Sequence, residues 1–237
     1  AVVKPRLHWQ PAMAKAPGWT PAAVIDSPSH LRHAVRRMRA CGRDPLIQEP
    51  IQGQLMAISA VRGPDGASLA LMQQHSVGTW PARAGVSSRA ITVPVDPALG
   101  RGVTSLLDHL GWVGMAQVQF VRPKHGPPRL IDLNGRPYGS LPLAQSAGLN
   151  LVSLWLNSWL QTDPTQGHRP SATLTARPGA TYSKGVADLR RAIQQRRGGL
   201  VCDLVATTRA WWGASHPVAD RNDLRPLARV LRPTLPL

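Results

Sequence analysis

Apolar positions recur at helical spacing in two early stretches of the chain. Leu31, Ala34, Val35 and Met38 share one face of a predicted helix that starts at Ser27-Pro28, with the serine as N-cap and the proline at the first helical position, and stops at Gly42. Leu99, Val103, Leu106, Leu107 and Leu110 mark a second helix, opened by Asp96-Pro97 and closed at Gly111. Between them come the run 46–51 and then two strand-like runs, 54–62 and 67–75, joined as a hairpin by the turn Gly63-Pro64-Asp65-Gly66. After the second helix the period shifts to two over 115–121 and 130–134. Residues 141–160 then read as one or two helices, 165–175 as irregular chain, 185–195 and 200–212 as further helices, and the end is rich in arginine and proline. There is no internal repeat or low-complexity tract.

The pair 115–121 and 130–134 carries the chemistry. If the two runs pair antiparallel, Ala116, Val118 and Phe120 share a face with Ile131 and Leu133, while Gln117, Gln119, Asp132 and Asn134 share the other. A centred register sets Gln119 opposite Asp132 and Gln117 opposite Asn134. A polar cluster inside two apolar strands costs stability unless it meets water, partners or a ligand; a solvated sheet face is the plain alternative. The continuation Asn134-Gly135-Arg136-Pro137-Tyr138-Gly139-Ser140 puts a guanidinium beside this oxygen-rich patch. Carboxylate and amide oxygens suit magnesium, and a neighbouring arginine suits a phosphoryl group, so the residues point to a metal–phosphate site.

The same segments resemble a known family. Gly114-Met115-Ala116-Gln117-Val118-Gln119-Phe120, then Pro128-Arg129-Leu130-Ile131-Asp132-Leu133-Asn134-Gly135-Arg136-Pro137-Tyr138-Gly139-Ser140, then Leu143-Ala144 and Ala147-Gly148 are similar to the metal-binding strands of ATP-grasp carboxylate–amine ligases. Val2-Val3-Lys4-Pro5 resembles the strand whose lysine reaches the ATP phosphates, 47–53 the hinge at the adenine edge, and 81–88 the loop before the family's next helix. The resemblance implies an α+β ATP-grasp fold of antiparallel sheets with flanking helices, plus a helical C-terminal extension. It divides the chain into a partial small (lid) subdomain at 1–52, a catalytic and metal-binding subdomain at 53–165 and the extension at 166–237. It also implies ATP and Mg2+ as cofactors. Lys4 would hold phosphate, Gln48, Glu49 and Ile51 the adenine, Asp132, Asn134 and Gln119 the metal, and Arg136 the transferring phosphoryl group. The reaction implied is activation of a small-molecule carboxylate as an acylphosphate, captured by an amine.

The chain departs from the family pattern at three points in its motifs. Gln119 stands where a glutamate is usual, which removes a charge from the metal site, the second carboxylate is the shorter Asp132, and no glycine-rich loop follows Lys4, where Trp9 and Trp19 occur instead. A degenerate, non-catalytic nucleotide-binding relative is therefore the rival reading. The net charge of +16 raises a third, a nucleic-acid-binding module. Only Lys4, Lys15, Lys124 and Lys184 among the 28 basic residues are lysine, however, and the dispersed arginines fit coding bias better than a phosphate-binding surface, so nucleic acid is not the expected partner.

His30 and His33 lack a third ligand, Gly100-Arg101-Gly102 lacks the rest of a dinucleotide fingerprint, and Trp155, Trp159, Trp211 and Trp212 fit core or subunit contacts, which leaves a homo-oligomer open. The apolar run 149–160 is short of the roughly 20 residues a spanning helix needs. With no secretory-type N-terminus and only Cys41 and Cys202, the expected location is cytoplasmic. The opening Ala1-Val2-Val3-Lys4 reads as though cut inside a strand, as in a fragment.

Overall fold

The computed structural model describes residues 1–6, 22–81, 85–160, 172–218, 223 and 225–226. Trp9, Trp19 and most of 165–175, singled out above, lie outside the described residues, as do 82–84 within the loop expected at 81–88.

Two antiparallel sheets organise the molecule. The smaller has the order β2-β1-β3, with β1 at Val2–Pro5, β2 at Ala23–Val24 and β3 at Pro45–Gln48. Helix α1, Pro28–Ala40, packs on it and begins as the sequence requires, with the Ser27 hydroxyl accepting from the His30 amide at 3.3 Å. The larger sheet runs β10-β6-β5-β4-β7-β8, from β4 (Gly53–Arg62), β5 (Ser68–Trp80), β6 (Val86–Val93), β7 (Gly114–Pro123), β8 (Arg129–Asn134) and β10 (Thr181–Ser183), with the short β9 (Leu174–Thr175) parallel to β5. The chain passes from one sheet to the other between Gln48 and Gly53.

One face of the large sheet is covered by α2, Pro97–His109, whose start is fixed by Asp96 accepting from the Ala98 and Leu99 amides at 3.0 and 3.2 Å. Val103 and Leu107 pack there on Met56, Ile58, Ala60, Ala116, Val118 and Phe120, each large apolar side chain contributing about 1.5–3 kcal/mol by its burial. The opposite face meets α3 (Leu141–Ser146) and α4 (Leu151–Leu160), the two helices into which 141–160 resolves, around Val61, Met72, Met115, Leu143 and Tyr182. The C-terminal helices α5 (Gly185–Gln195) and α6 (Leu200–Trp212) pack on each other, α5 against β5 and β6 and α6 against β10.

Two expectations need correction. The segment through Ser88, expected as a loop, becomes strand from Val86 onward and is an interior strand of the sheet. Its buried positions are Ser88, Ala90 and Thr92, so no apolar alternation betrays it. In the β7–β8 pair, Gln119↔Asp132 and Gln117↔Asn134 pair as expected, but Phe120 faces Leu130 rather than Ile131. A β-bulge leaves Ile131 out of the ladder.

Candidate active site

The bulge places the site. The side chain of Lys4, on β1 of the small sheet, donates from Nζ to the carbonyl of Ile131 at 3.0 Å, so the lysine stands beside Asp132. An extra strand residue sits outside the ladder hydrogen bonds, and here its carbonyl serves the lysine. The link spans a cleft of about 450 Å³ between the two sheets. Lys4, Gln48, Glu49 and Ile51 line it on the small-sheet and connection side, and Gln119 and Asp132 on the large-sheet side. Gln48, Glu49 and Ile51 are exposed and Lys4, Gln119 and Asp132 half-buried, so the cleft opens to a ligand.

The polar face of β7 is ordered by a hydrogen-bond relay. Gln119 donates from Nε2 to Gln117 Oε1 at 3.1 Å, Gln117 from Nε2 to the Ser140 hydroxyl at 3.4 Å, and Ser140 to Gln74 Oε1 at 3.0 Å. Gln117, Gln74 and Ser140 are buried, so these bonds meet the cost of placing polar groups under the sheet. Beside them the Tyr138 hydroxyl donates to Ser59 at 2.6 Å, and burial raises its pKa well above the ordinary phenol value. The solvated-face alternative therefore fails for Gln117, which is buried, while Gln119, Asp132 and Asn134 are half-buried. The direction of the relay leaves Gln119 Oε1 without a hydrogen-bond partner among the described residues, on a side chain that lines the cleft.

Asn134 and Arg136 stand apart. Asn134 pairs with Gln117 in the ladder but does not line the cleft, and Arg136 is exposed, its guanidinium donating to the carbonyl of Pro137 at 3.2 Å. Gly135 between them is held against Trp112: a Cβ there would overlap the indole ring, which explains glycine at this point of the strand exit.

The oxygen donors suit a hard cation. Asp132 supplies one carboxylate and Gln119 an amide oxygen, and magnesium typically takes one or two protein carboxylates together with phosphate oxygens and water. Among the described residues no group of three or more His, Cys, Asp or Glu side chains is placed to hold a metal by itself. The residues fit an ion that arrives with a phosphate ligand rather than one resident alone.

Residues 46–180, more than half of the sequence, match the family described as ATP-grasp in the biosynthetic pathway with Ter operon. The chain belongs to this ATP-grasp family. Its fold is similar to that of the L-amino acid ligase from Bacillus licheniformis, at 21% identity and TM-score 0.52, covering 76% of this chain and 42% of that one. The biotin carboxylase from Campylobacter jejuni, solved as a beta-gamma-ATP complex, is similar at 12% identity and TM-score 0.55, covering 76% of this chain and 40% of that one. The biotin carboxylase domain of the Hydrogenobacter thermophilus 2-oxoglutarate carboxylase, solved with MgADP and bicarbonate, is similar at 14% identity and TM-score 0.51, covering 68% and 37% respectively. The chain thus spans about two fifths of the length of these ATP-grasp structures. No curated protein sequence matches it. Among the described residues no helix is long and apolar enough to cross a membrane.

One residue of the cleft wall escaped the sequence reading. Arg197, from the turn between α5 and α6, lines the cleft alongside Val77, Gly78 and Thr79 of β5. It lies outside the family match, within a basic run, Arg190-Arg191 and Arg196-Arg197, that resembles any solvated helix end.

Proposed function

We propose that this ATP-grasp chain is the nucleotide- and metal-binding part of an ATP-dependent ligase that activates a small-molecule carboxylate as an acylphosphate for attack by an amine. The observation that carries the reading is the cleft itself, where Lys4, the Gln48–Ile51 connection, Gln119 and Asp132 converge from two sheets. In this reading 1–52 form a partial lid, 53–165 the catalytic and metal-binding subdomain and 166–237 a helical extension.

Each residue has a role that its chemistry supports. Gln48, Glu49 and the chain at Ile51 offer donors and acceptors at the open edge of the cleft for the adenine. Lys4 carries three ammonium donors, of which, among the described residues, Ile131 takes one, leaving the others to bind phosphate. Asp132 and the Oε1 of Gln119 hold Mg2+, with Asn134, two ladder pairs along on the same strand, as a third oxygen donor. Bound MgATP supplies the phosphoryl group and neutralises its charge. Arg136 stabilises the transferring phosphoryl group once it turns from Pro137 toward the metal; among the described residues its guanidinium makes a single, exposed bond. The protein's contribution is positioning and electrostatics, since phosphoryl transfer needs no protein nucleophile.

A degenerate nucleotide-binding protein is the second reading, favoured by Gln119, whose amide brings no negative charge to the metal. Turnover separates the two. The ligase reading expects ADP release that depends on both a carboxylate and an amine and is lost in Arg136→Ala with the fold intact. Undiminished release in that variant removes the role of Arg136, and ATP binding without release under any acid–amine pair favours the degenerate protein. The same reading takes the protein to be cytoplasmic, with nucleic acid no partner despite the charge; steeply salt-dependent binding to DNA or RNA would overturn the latter.

A further inference from the structure

Two β-bulges flank the central strands of the large sheet, and each gives a freed backbone carbonyl to a cation of the cleft. On one side the bulge in β8 leaves the carbonyl of Ile131 to Lys4. On the other the β5–β6 ladder steps from Ser76↔Ala90 to Gly78↔Arg89, passing over Val77, whose carbonyl accepts from the Arg197 guanidinium at 3.2 Å.

The position of Arg197 is built rather than incidental. Helix α5 ends at Arg196 with φ 48°, a left-handed conformation that is costly for a side chain larger than glycine, and Gly198 and Gly199 follow with φ 69° and 99°. The turn is pinned from behind: the Arg197 amide donates to Asp203 Oδ2 at 2.8 Å, and the same carboxylate receives the Arg191 guanidinium at 3.1 and 2.8 Å. Arg191, only 1% exposed, also reaches Asp188 at 2.7 Å, and Asp188 takes Arg89 of β6 at 2.9 and 2.6 Å. Gly78 lets α5 come this close, since a Cβ there would lie 2.9 Å from Cδ of Arg191.

Arg197 itself is exposed and lines the cleft, and with one side-chain bond among the described residues most of its five donors are left unused. A buried ion network that fixes a strained turn, and so holds a guanidinium with donors to spare at a cleft wall, is suited to planar, two-pronged recognition of an oxyanion.

We propose that Arg197, supplied by the C-terminal extension, binds an oxyanion of the ligand in this cleft, either a phosphate of the nucleotide or the carboxylate of the acid to be activated. The proposal rests on the reading of the cleft as a nucleotide site. The extension is then a wall of the binding site rather than an appendage, and the two bulge-anchored cations, Lys4 and Arg197, grip the ligand from opposite sides.

The test is calorimetric titration of the full chain and of Arg197→Gln with adenosine, with MgATP and, over the ADP-loaded chain, with acetate, succinate, L-alanine and L-glutamate. The substitution keeps the backbone bond to Asp203, and an unchanged urea midpoint checks the fold. A roughly ten- to hundredfold loss of MgATP affinity with adenosine unchanged identifies a phosphate as the partner. Unchanged MgATP affinity with a similar loss for an acid that binds the wild type identifies the carboxylate. Arg197→Lys, which keeps the charge without the fork, should fall between. Equal MgATP affinity with no acid affected or none bound overturns the proposal, as does an equal loss for adenosine and MgATP, which would mean a general disturbance of the cleft. Failure of the wild type to bind MgATP overturns the nucleotide reading itself.

Discussion

Lys4 and Ile131 are joined across the two sheets by a 3.0 Å hydrogen bond between residues 127 positions apart in sequence. The bond does two things at once. It ties the small sheet to the bulge of β8, and it holds an ammonium group beside the carboxylate expected to bind metal.

Lys4→Met should therefore weaken ATP by about 1.5–3 kcal/mol, the worth of a hydrogen bond to a charged group, while leaving adenosine binding nearly unchanged. Comparative titration with the two ligands checks this, and a parallel loss for both would show that the lysine acts by closing the cleft instead.

Gln119→Glu should strengthen magnesium-dependent ATP binding by about tenfold or more, since it adds a full charge at a ligand position. The relay can accommodate the change by reversing, with the Gln117 and Gln74 amides flipped: Gln117 would donate to the introduced carboxylate, Ser140 to Gln117 and Gln74 to Ser140. Titrations at several magnesium concentrations decide it. An unchanged magnesium dependence would mean that Gln119 is not a metal ligand.

Asp203→Ala should destabilise the protein by about 3–5 kcal/mol, because it leaves the buried Arg191 with an unbalanced charge and releases the Arg197 turn. Urea denaturation followed by tryptophan fluorescence reads the loss. The Arg191 hydrogen bonds, opposed by burial and aided by the Arg197 amide, hold the Asp203 pKa below its ordinary 3.8. Its stabilising effect is thus complete above that value and is lost as the pH falls through the lowered one.

Burial, reinforced by the Arg122 charge, pushes His75 below its ordinary 6.5. The unfolded chain then takes up this proton more readily, so stability should decline as pH drops below 6.5 toward the folded value. His75→Gln should flatten the decline, as urea midpoints at about pH 7.5 and 5.5 would show; an equal slope in the variant would assign the effect to another group.

Much of this was legible from the residues, for identifiable reasons. Ser27 and Asp96 announce their helices because a side-chain cap is a local contact, and alternation over 115–121 set the Gln119–Asp132 pairing because side-chain direction repeats every two residues. Strand β6 was hidden because its buried positions are small or polar, and the bulge at Ile131 because nothing in Leu130-Ile131-Asp132 distinguishes a paired residue from an extra one. Arg197 was hidden because its place depends on a left-handed turn and on partners in β5 and α6 that only the folded chain assembles.

MgATP binding at Asp132 decides whether this cleft is a metal–nucleotide site. Calorimetric titration of the wild type and of Asp132→Ala with ATP, with and without magnesium, should show binding that magnesium strengthens in the wild type and no longer strengthens in the variant. Binding indifferent to both magnesium and the substitution would contradict the assignment of Asp132 as the metal ligand of this cleft.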